Sequence, residues 1–216
     1  MTSQVRKRKT VDPCERCGLH RILCLCALIP KIDLRTRLTL IIHAKEMKRT
    51  TNTGRLALEA LTNSEVVIRG RRGPIDIDGK TPAPAIDLSK FLQPDYLPLL
   101  FFPCDEAVEL TADFVRSIRG SANLPIQLLV PDGNWRQASK VHSRHPELSN
   151  VVRVKISTPN TAEKHLRAEH LIEGMSTLEA IARAVGIIES REAEARLLGL
   201  YGEKLSRTLT GRGTAG

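Results

Sequence analysis

The stretch PIQLLVPDGNWRQASK, residues 125–140, decides the fold class. An apolar run from Ile126 to Val130 is followed at once by Asp132 and Gly133, and then by Trp135 within a helical pattern. A short β-branched and leucine-rich run that ends in turn residues is typical of a buried strand. The stretch therefore predicts a strand, a turn and the first turn of a helix.

The same alternation extends in both directions along the chain. Further strand-like runs are Leu38 to Ile42, Val66 to Ile68, Leu97 to Phe102 and Val151 to Ile156. Helical patterns lie around Thr53 to Thr62, Asp105 to Ile118, Asn134 to His142, Ser176 to Val185 and Ser190 to Tyr201. The alternation predicts an α/β fold whose sheet is mainly parallel and covered by helices on both faces.

In such a sheet, ligands bind beyond the carboxyl ends of the strands. His43, residues 103–105 and residues 132–136 directly follow strand-like runs. Asp132 would place a carboxylate in the crevice, Gly133 would admit a ligand close to the backbone, and Trp135 would offer a planar face. The simpler alternative is that Asp132 caps the next helix and that Trp135 belongs to the core.

Basic residues are concentrated in the first part of the chain. The net charge is +9: residues 1–80 hold 17 lysines and arginines against 8 acidic residues, whereas residues 81–216 hold 16 of each. Localised positive charge attracts polyanions, because phosphate neutralisation releases counterions. The charge therefore favours a nucleic-acid partner, with a solubilising basic N-terminus as the alternative. The seven aromatic residues, Tyr, Phe and Trp together, disfavour a sheet of base-stacking platforms.

Four of the five cysteines, Cys14, Cys17, Cys24 and Cys26, have the spacing C-x2-C-x6-C-x-C. Four close thiolates suit a tetrahedral zinc ion, whereas disulfides are disfavoured in a reducing compartment. Because every ligand position is a cysteine, we expect a closed, structural site. An iron–sulfur cluster and a group of reduced thiols are the alternatives.

A basic segment, TTNTGR at residues 50–55, precedes the helical pattern that begins near Thr53. A helix N-terminus with a glycine and basic neighbours suits an RNA phosphate or a ligand carboxylate. Capping by Asn52 or Thr53 is the alternative explanation. Arg167 would pair with a phosphate or lie on a solvated face. The residues expected to contact RNA are Lys45, Lys48, Arg49, Asn52, Thr53, Arg55, Arg136 and Arg167.

Six segments, in order, resemble the DTW-domain family of tRNA-uridine aminocarboxypropyltransferases. They are the cysteine cluster, HAKEMKRTTNTGRLA at 43–57, FFPCDEA at 101–107, DGNWRQASK at 132–140, LR at 166–167 and STLEAIA at 176–182. The resemblance covers residues 12 to 200. The chain departs from the family's usual motif at Asn134, where threonine is common, although asparagine keeps a hydrogen-bonding side chain.

The resemblance implies a fold related to the SPOUT methyltransferases, in which the C-terminal part is threaded as a knot around the cofactor. It implies S-adenosylmethionine as co-substrate, tRNA as partner and a structural zinc ion. It also places the helix start at Ser176 near the cofactor, although Ser176 and Glu179 are explained equally well as a capping box. The expected cofactor contacts are Phe102, Pro103, Asp132, Gly133, Trp135, Ser176 and Thr177.

The leading hypothesis is transfer of the 3-amino-3-carboxypropyl group of S-adenosylmethionine to N3 of a tRNA uridine, releasing methylthioadenosine. Asp132 is expected to take the N3 proton or orient the base, and Trp135 to shape the pocket that both residues line. The alternatives are a SPOUT-type RNA methyltransferase and a non-catalytic zinc-containing RNA-binding protein.

The expected organisation is a single unit with short extensions. Residues 1–11 are expected to be disordered and basic, 12–30 to bind zinc, 31–205 to form the α/β catalytic domain and 206–216 to be a flexible tail. No apolar run approaches the roughly 20 residues that a membrane-spanning helix needs. The sequence therefore predicts a cytoplasmic protein with no membrane partner and no obligate protein partner.

Overall fold

The computed structural model describes residues 12–47, 49–70, 86–157, 166 and 175–212. Six strands form one sheet in the order β2-β1-β5-β3-β6-β4, and every neighbouring pair is parallel. The strands are β1 (Arg37–His43), β2 (Ser64–Arg69), β3 (Leu97–Phe101), β4 (Val108–Glu109), β5 (Ile126–Asp132) and β6 (Val152–Lys155). The predicted parallel α/β sheet is confirmed.

Helices cover both faces of this sheet. They are α1 (Ala44–Met47), α2 (Gly54–Ala60), α3 (Ala112–Arg119), α4 (Trp135–Ala138), α5 (Lys140–Arg144), α6 (Thr177–Ile188) and α7 (Arg191–Arg212). Successive residues of a strand point to opposite faces, so Leu40 joins a large core with α2, α6 and α7. Ile41 joins a smaller core with Val141 of α5 and the 3-10 turn Pro146–Leu148.

The helix predicted from Asp105 begins seven residues later, at Ala112. The hydroxyl of Thr111 accepts a hydrogen bond from the backbone N–H of Phe114 and so caps α3. The preceding Val108 and Glu109 pair with β6 as the short strand β4, which the sequence did not predict. The early helical prediction was wrong because this edge pairing competes with the local helical pattern.

Helix α7 continues through Arg212, although the sequence predicted a flexible tail from residue 206. Leu205 packs against the large core. Arg207 donates to the carbonyl oxygens of Leu23 and Cys24, at 3.4 and 2.7 Å. Contacts with the cysteine segment thus accompany the continuation of α7 through the largely polar residues 206–212.

Two predictions about the fold fall outside the described residues, namely the disordered N-terminus at 1–11 and the knot, which depends on the connection between β6 and α6. They stay predictions. Among the helices of the described ranges, none has both the length and the apolar character needed to cross a bilayer.

Candidate active site and metal centre

The four clustered cysteines have the geometry of a tetrahedral metal centre. The Sγ atoms of Cys14 lie 3.5 Å from Cys26 and 3.6 Å from Cys24, and those of Cys17 and Cys24 are 3.8 Å apart. All four sulfur atoms lie within 4.8 Å of one another. A zinc ion with Zn–S bonds of about 2.3 Å requires sulfur separations of about 3.8 Å. The residues therefore fit one tetrahedral ion.

The backbone turn that begins at Cys14 favours the deprotonated form of the Cys14 thiol. The N–H of Gly18 donates to the carbonyl oxygen of Cys14 (2.8 Å), and Gly18 has a left-handed φ of +70° that glycine adopts without strain. Hydrogen bonding from the backbone of Cys17 lowers the pKa of the Cys14 thiol to about 6. Burial raises the pKa of the Cys26 thiol. A bound cation would supply the charge that holds such a buried thiol deprotonated.

Cationic side chains fasten this cysteine segment to the rest of the protein. Lys204 is fully buried, and its Nζ donates to the carbonyl oxygens of Cys17 (2.6 Å) and Thr50 (2.9 Å). Burial lowers the pKa of Lys204 to about 8. Arg55 donates to the carbonyls of Met47 and Glu15. The sequence did not identify Lys204, because a lysine in a polar helix ordinarily indicates a solvated face.

Asp132 ends the central strand β5 at the edge of the sheet where all six strands have their carboxyl ends, called here the carboxyl edge. Only 6% of the residue is exposed. Its Oδ2 accepts a hydrogen bond from Nδ2 of Asn52 (2.6 Å), and its Oδ1 accepts one from the hydroxyl of Thr177 (2.9 Å). One carboxylate thus joins β5, the loop before α2 and the first residue of α6.

The loop at residues 50–53 lies beneath this carboxylate. Asn52 also binds the first turn of α2, because its Oδ1 accepts from the N–H of Arg55 at 3.1 Å. Thr53, the N-cap residue of α2, accepts through Oγ1 from the N–H of Leu178 at 3.1 Å. A Cβ atom on Gly54 would stand 2.8 Å from Oδ2 of Asp132, so the close approach requires glycine. Asn52 and Thr53 are each 4% exposed. In this structure they hold the site together rather than lie on a surface open to RNA.

Trp135 lies on the surface beside the same strand end and is 59% exposed. Its ring contacts Phe102, with centroids 4.9 Å apart and planes tilted by 44°. Asn134, not Asp132, caps α4, and with Gln137 it forms a complete capping box. The alternatives that made Trp135 a core residue and Asp132 a helix cap are therefore wrong. The carboxylate points to Asn52 and Thr177, whereas the indole is exposed, so a pocket shared by both stays a prediction.

Positive charge surrounds the carboxyl ends of β1 and β2. His43 and Arg69 are register partners there, and Arg69 is buried, with Nη1 donating to the carbonyl of Gln137 (3.2 Å). Burial and nearby Arg144 lower the pKa of Arg69. Burial, Arg69 and Lys45 lower the pKa of His43. The potential at this end of the edge suits an anionic ligand.

The other predicted contact residues are distributed as follows. Ser176 caps α6, since its Oγ accepts from the N–H of Glu179 at 3.3 Å, while the Glu179 carboxylate pairs with Arg183. The Ser176 side of the predicted capping box is confirmed, since Ser176 accepts the hydrogen bond from the backbone of Glu179. Pro103, Lys45 and Arg136 are exposed, Gly133 is half-buried, Arg49 pairs with Glu46, and Lys48 and Arg167 lie outside the described residues.

Comparison with known proteins finds related sequences but no matching solved structure. The DTW domain model matches residues 11–209. Relatives named tRNA-uridine aminocarboxypropyltransferase 2 include one from Drosophila melanogaster, 26% identical over 83% of this chain and 68% of its own length. Those of Macaca fascicularis and Mus musculus are 25% and 26% identical over 86% and 82% of this chain, which spans 59% and 56% of their lengths.

The family model therefore covers the cysteine centre, the loop at residues 50–53, the end of β5, helix α6 and most of α7. Parts of the segments that carry the sequence resemblance meet in the fold, namely the cysteine cluster, residues 50–55, the end of β5 and the start of α6. The chain belongs to the DTW domain family.

Proposed function

We propose that the protein transfers the 3-amino-3-carboxypropyl group of S-adenosylmethionine to N3 of a tRNA uridine. The new bond joins N3 to the carbon of the side chain next to sulfur, and the bond between that carbon and sulfur breaks. The bonding pair returns to sulfur, which leaves as the neutral thioether of methylthioadenosine, and the N3 proton passes to a base. Family membership and the names of the relatives support this reaction class.

The observation that carries the proposal is the arrangement at Asp132. A buried carboxylate held by Asn52 and Thr177 is a rigid acceptor at the carboxyl edge, where open parallel sheets bind ligands. Preorganised groups of this kind orient a reactant without reorganising during the reaction. We propose that Asp132 orients the uridine or takes its N3 proton. Its hydrogen bonds with Asn52 and Thr177 favour the orienting role over the role of base.

The aromatic pair and the helix start complete the proposed site. Trp135, packed against the half-buried Phe102, offers an exposed aromatic surface near Asp132, suited to stacking against a base or the adenine of the co-substrate. Ser176 and Thr177 begin α6 beside the same carboxylate. We propose cofactor contacts from these residues together with Pro103 and Gly133, within a fold related to the SPOUT group.

The cysteine centre is proposed to hold zinc with a structural role. Its four thiol ligands fill a tetrahedron and leave no position for a reactant. The centre also orders the segment that Lys204 fastens to Thr50 and that Arg55 fastens to α2.

Helices α4 and α5 offer the best-supported surface for tRNA. Residues 133–146 contain Arg136, Lys140 and Arg144 but no aspartate or glutamate. Ser139, between the two helices, keeps helical dihedrals (φ −58°, ψ −27°), so the spacing of four aligns the three cations. Among the described residues none of the three has a carboxylate partner, whereas Arg16, Arg21, Arg37 and other surface arginines are paired. We propose that this face binds tRNA phosphates beside Trp135.

The decisive experiment follows two labels from S-adenosylmethionine into tRNA. With the purified full chain, carboxyl label should enter tRNA, and nucleoside mass spectrometry should show an added aminocarboxypropyl group on uridine. The Asp132→Asn variant should lose most of this transfer while still binding tRNA. Entry of methyl label without carboxyl label would instead identify a methyltransferase. Salt-dependent tRNA binding with neither label transferred would identify a non-catalytic RNA-binding protein.

A further inference from the structure

The metal centre and the proposed active site are in direct contact through one loop. Gly18, directly after the ligand Cys17, lies against Thr50: a Cβ atom on Gly18 would stand 3.1 Å from Cα of Thr50. Two residues further along, Asn52 donates to Asp132. The cysteine segment therefore packs on the loop that supplies the hydrogen-bond donor to the proposed site.

Lys204 joins the two sides of this contact. Its Nζ donates to Cys17 on the metal side and to Thr50 on the active-site side, residues 187 and 154 positions away in the chain. Both acceptors are backbone carbonyl oxygens, so these two hydrogen bonds do not neutralise a carboxylate. A fully buried ammonium group costs folding free energy that an apolar residue of similar size would avoid. The position of Lys204 is best explained by the two backbone segments that it ties together.

We propose that Lys204 is a positioning residue that transmits the order of the metal centre to Asp132. The path runs from the Cys17 carbonyl through Lys204 to the Thr50 carbonyl, and then through the side chain of Asn52 to the carboxylate. Loss of the ion or of the ammonium group releases Thr50, and Asn52 then holds Asp132 less firmly. The catalytic part of this inference rests on the proposed function, whereas the structural part does not.

The test compares two variants of α7 in the full chain with its metal bound. Lys204→Met keeps the length of the side chain but removes both hydrogen bonds. Arg207→Met is the matched control, because Arg207 also binds the cysteine segment, at Leu23 and Cys24, whereas its hydrogen bonds within the described residues do not include residues 50–53. For each protein, zinc content, amide hydrogen exchange at residues 50–53, and kcat and KM for tRNA are measured.

We expect both variants to retain one metal ion per chain. Lys204→Met should raise amide exchange at residues 50–53 by about 10-fold or more, whereas Arg207→Met should not. In Lys204→Met, kcat should fall about 10- to 100-fold while KM for tRNA changes less than about threefold. A purely structural lysine would lower the melting temperature and leave kcat of the folded protein unchanged.

A second measurement needs no substitution. Removing the metal from the unaltered protein with a chelator should raise amide exchange at residues 50–53 while the amides of α3 keep their protection. Unchanged exchange at 50–53 in both the metal-free protein and Lys204→Met overturns the proposal. If the unaltered protein transfers no carboxyl label, the proposed function fails, and the exchange measurements still decide whether Lys204 connects the two sites.

Discussion

Nδ2 of Asn52 donates to Oδ2 of Asp132 over 2.6 Å, although the two residues are 80 positions apart in the chain. The same asparagine accepts a hydrogen bond from the N–H of Arg55 through Oδ1, in the first turn of α2. One side chain therefore ties the start of a helix to the end of the central strand. This double role explains why an asparagine can be buried here, since both its Nδ2 and its Oδ1 have a hydrogen-bond partner.

Replacing Asn52 should uncouple these two elements. Asn52→Ala leaves a buried carboxylate without one donor, so the free energy of unfolding should fall by about 2 kcal/mol, and carboxyl-label transfer should fall with it. Urea unfolding measures the first effect. Asn150→Ala, at an exposed position, is the control and should change stability by less than about 0.5 kcal/mol. Equal effects of the two substitutions would contradict this role for Asn52.

Gly54 should tolerate no larger side chain. Gly54→Ala places a methyl group 2.8 Å from Oδ2 of Asp132 and 3.1 Å from Leu40, and such overpacking should cost about 1–3 kcal/mol of stability. Gly202→Ala in helix α7 meets no atom within 4 Å and should be neutral or stabilise by up to about 1 kcal/mol. Thermal unfolding of both variants provides the comparison. A stable Gly54→Ala protein would show that the carboxylate is not held against α2.

The four clustered cysteines should bind one ion. Metal analysis should find one zinc per chain and a colourless protein, and Cys17→Ser should lower both metal content and melting temperature, because ligand loss removes folding free energy. Cys104→Ser, which changes the one cysteine outside the cluster, should keep the full metal content. A brown protein with visible absorption would identify iron–sulfur chemistry instead.

Acidification should destabilise the fold partly through His43. Burial, with Arg69 and Lys45 nearby, lowers its folded pKa, while Glu46 acts in the opposite direction. The unfolded chain therefore binds the proton first, near pH 6.5, and stability is lost as the pH falls below that value towards the folded pKa. His43→Gln should show a shallower loss of stability between about pH 7 and pH 5. Identical slopes for the two proteins would contradict the shift.

Helices α4 and α5 should account for much of the salt dependence of tRNA binding. Changing Arg136, Lys140 and Arg144 together to glutamine should weaken binding and reduce the slope of log K against log salt by about one per lost phosphate contact. The control changes Lys90, Arg116 and Arg191 to glutamine, which removes the same net charge elsewhere on the exposed surface. If the control weakens binding equally, only net charge matters and the proposed face is wrong.

Local patterns in the sequence were sufficient for several features. Short apolar runs between helical patterns predicted five of the six strands, because burial on both faces leaves a continuous apolar signal. Cysteine spacing predicted the cluster of four thiols that could hold a metal ion, since four cysteines within 13 residues can meet without help from the rest of the fold. The position of Asp132 directly after its strand run predicted that it would lie at the carboxyl edge.

Only the tertiary structure decided which side chains meet there. Asn52 and Thr53 were predicted to contact RNA but are buried supports, and no sequence pattern singled out Lys204, which joins two distant backbone segments. The periodicity of apolar residues indicates whether a residue faces inward. It carries no information on which residue of another strand or helix will contact it. Contacts between residues 80 to 187 positions apart depend on the order in which strands and helices pack, and that order exists only in the folded chain.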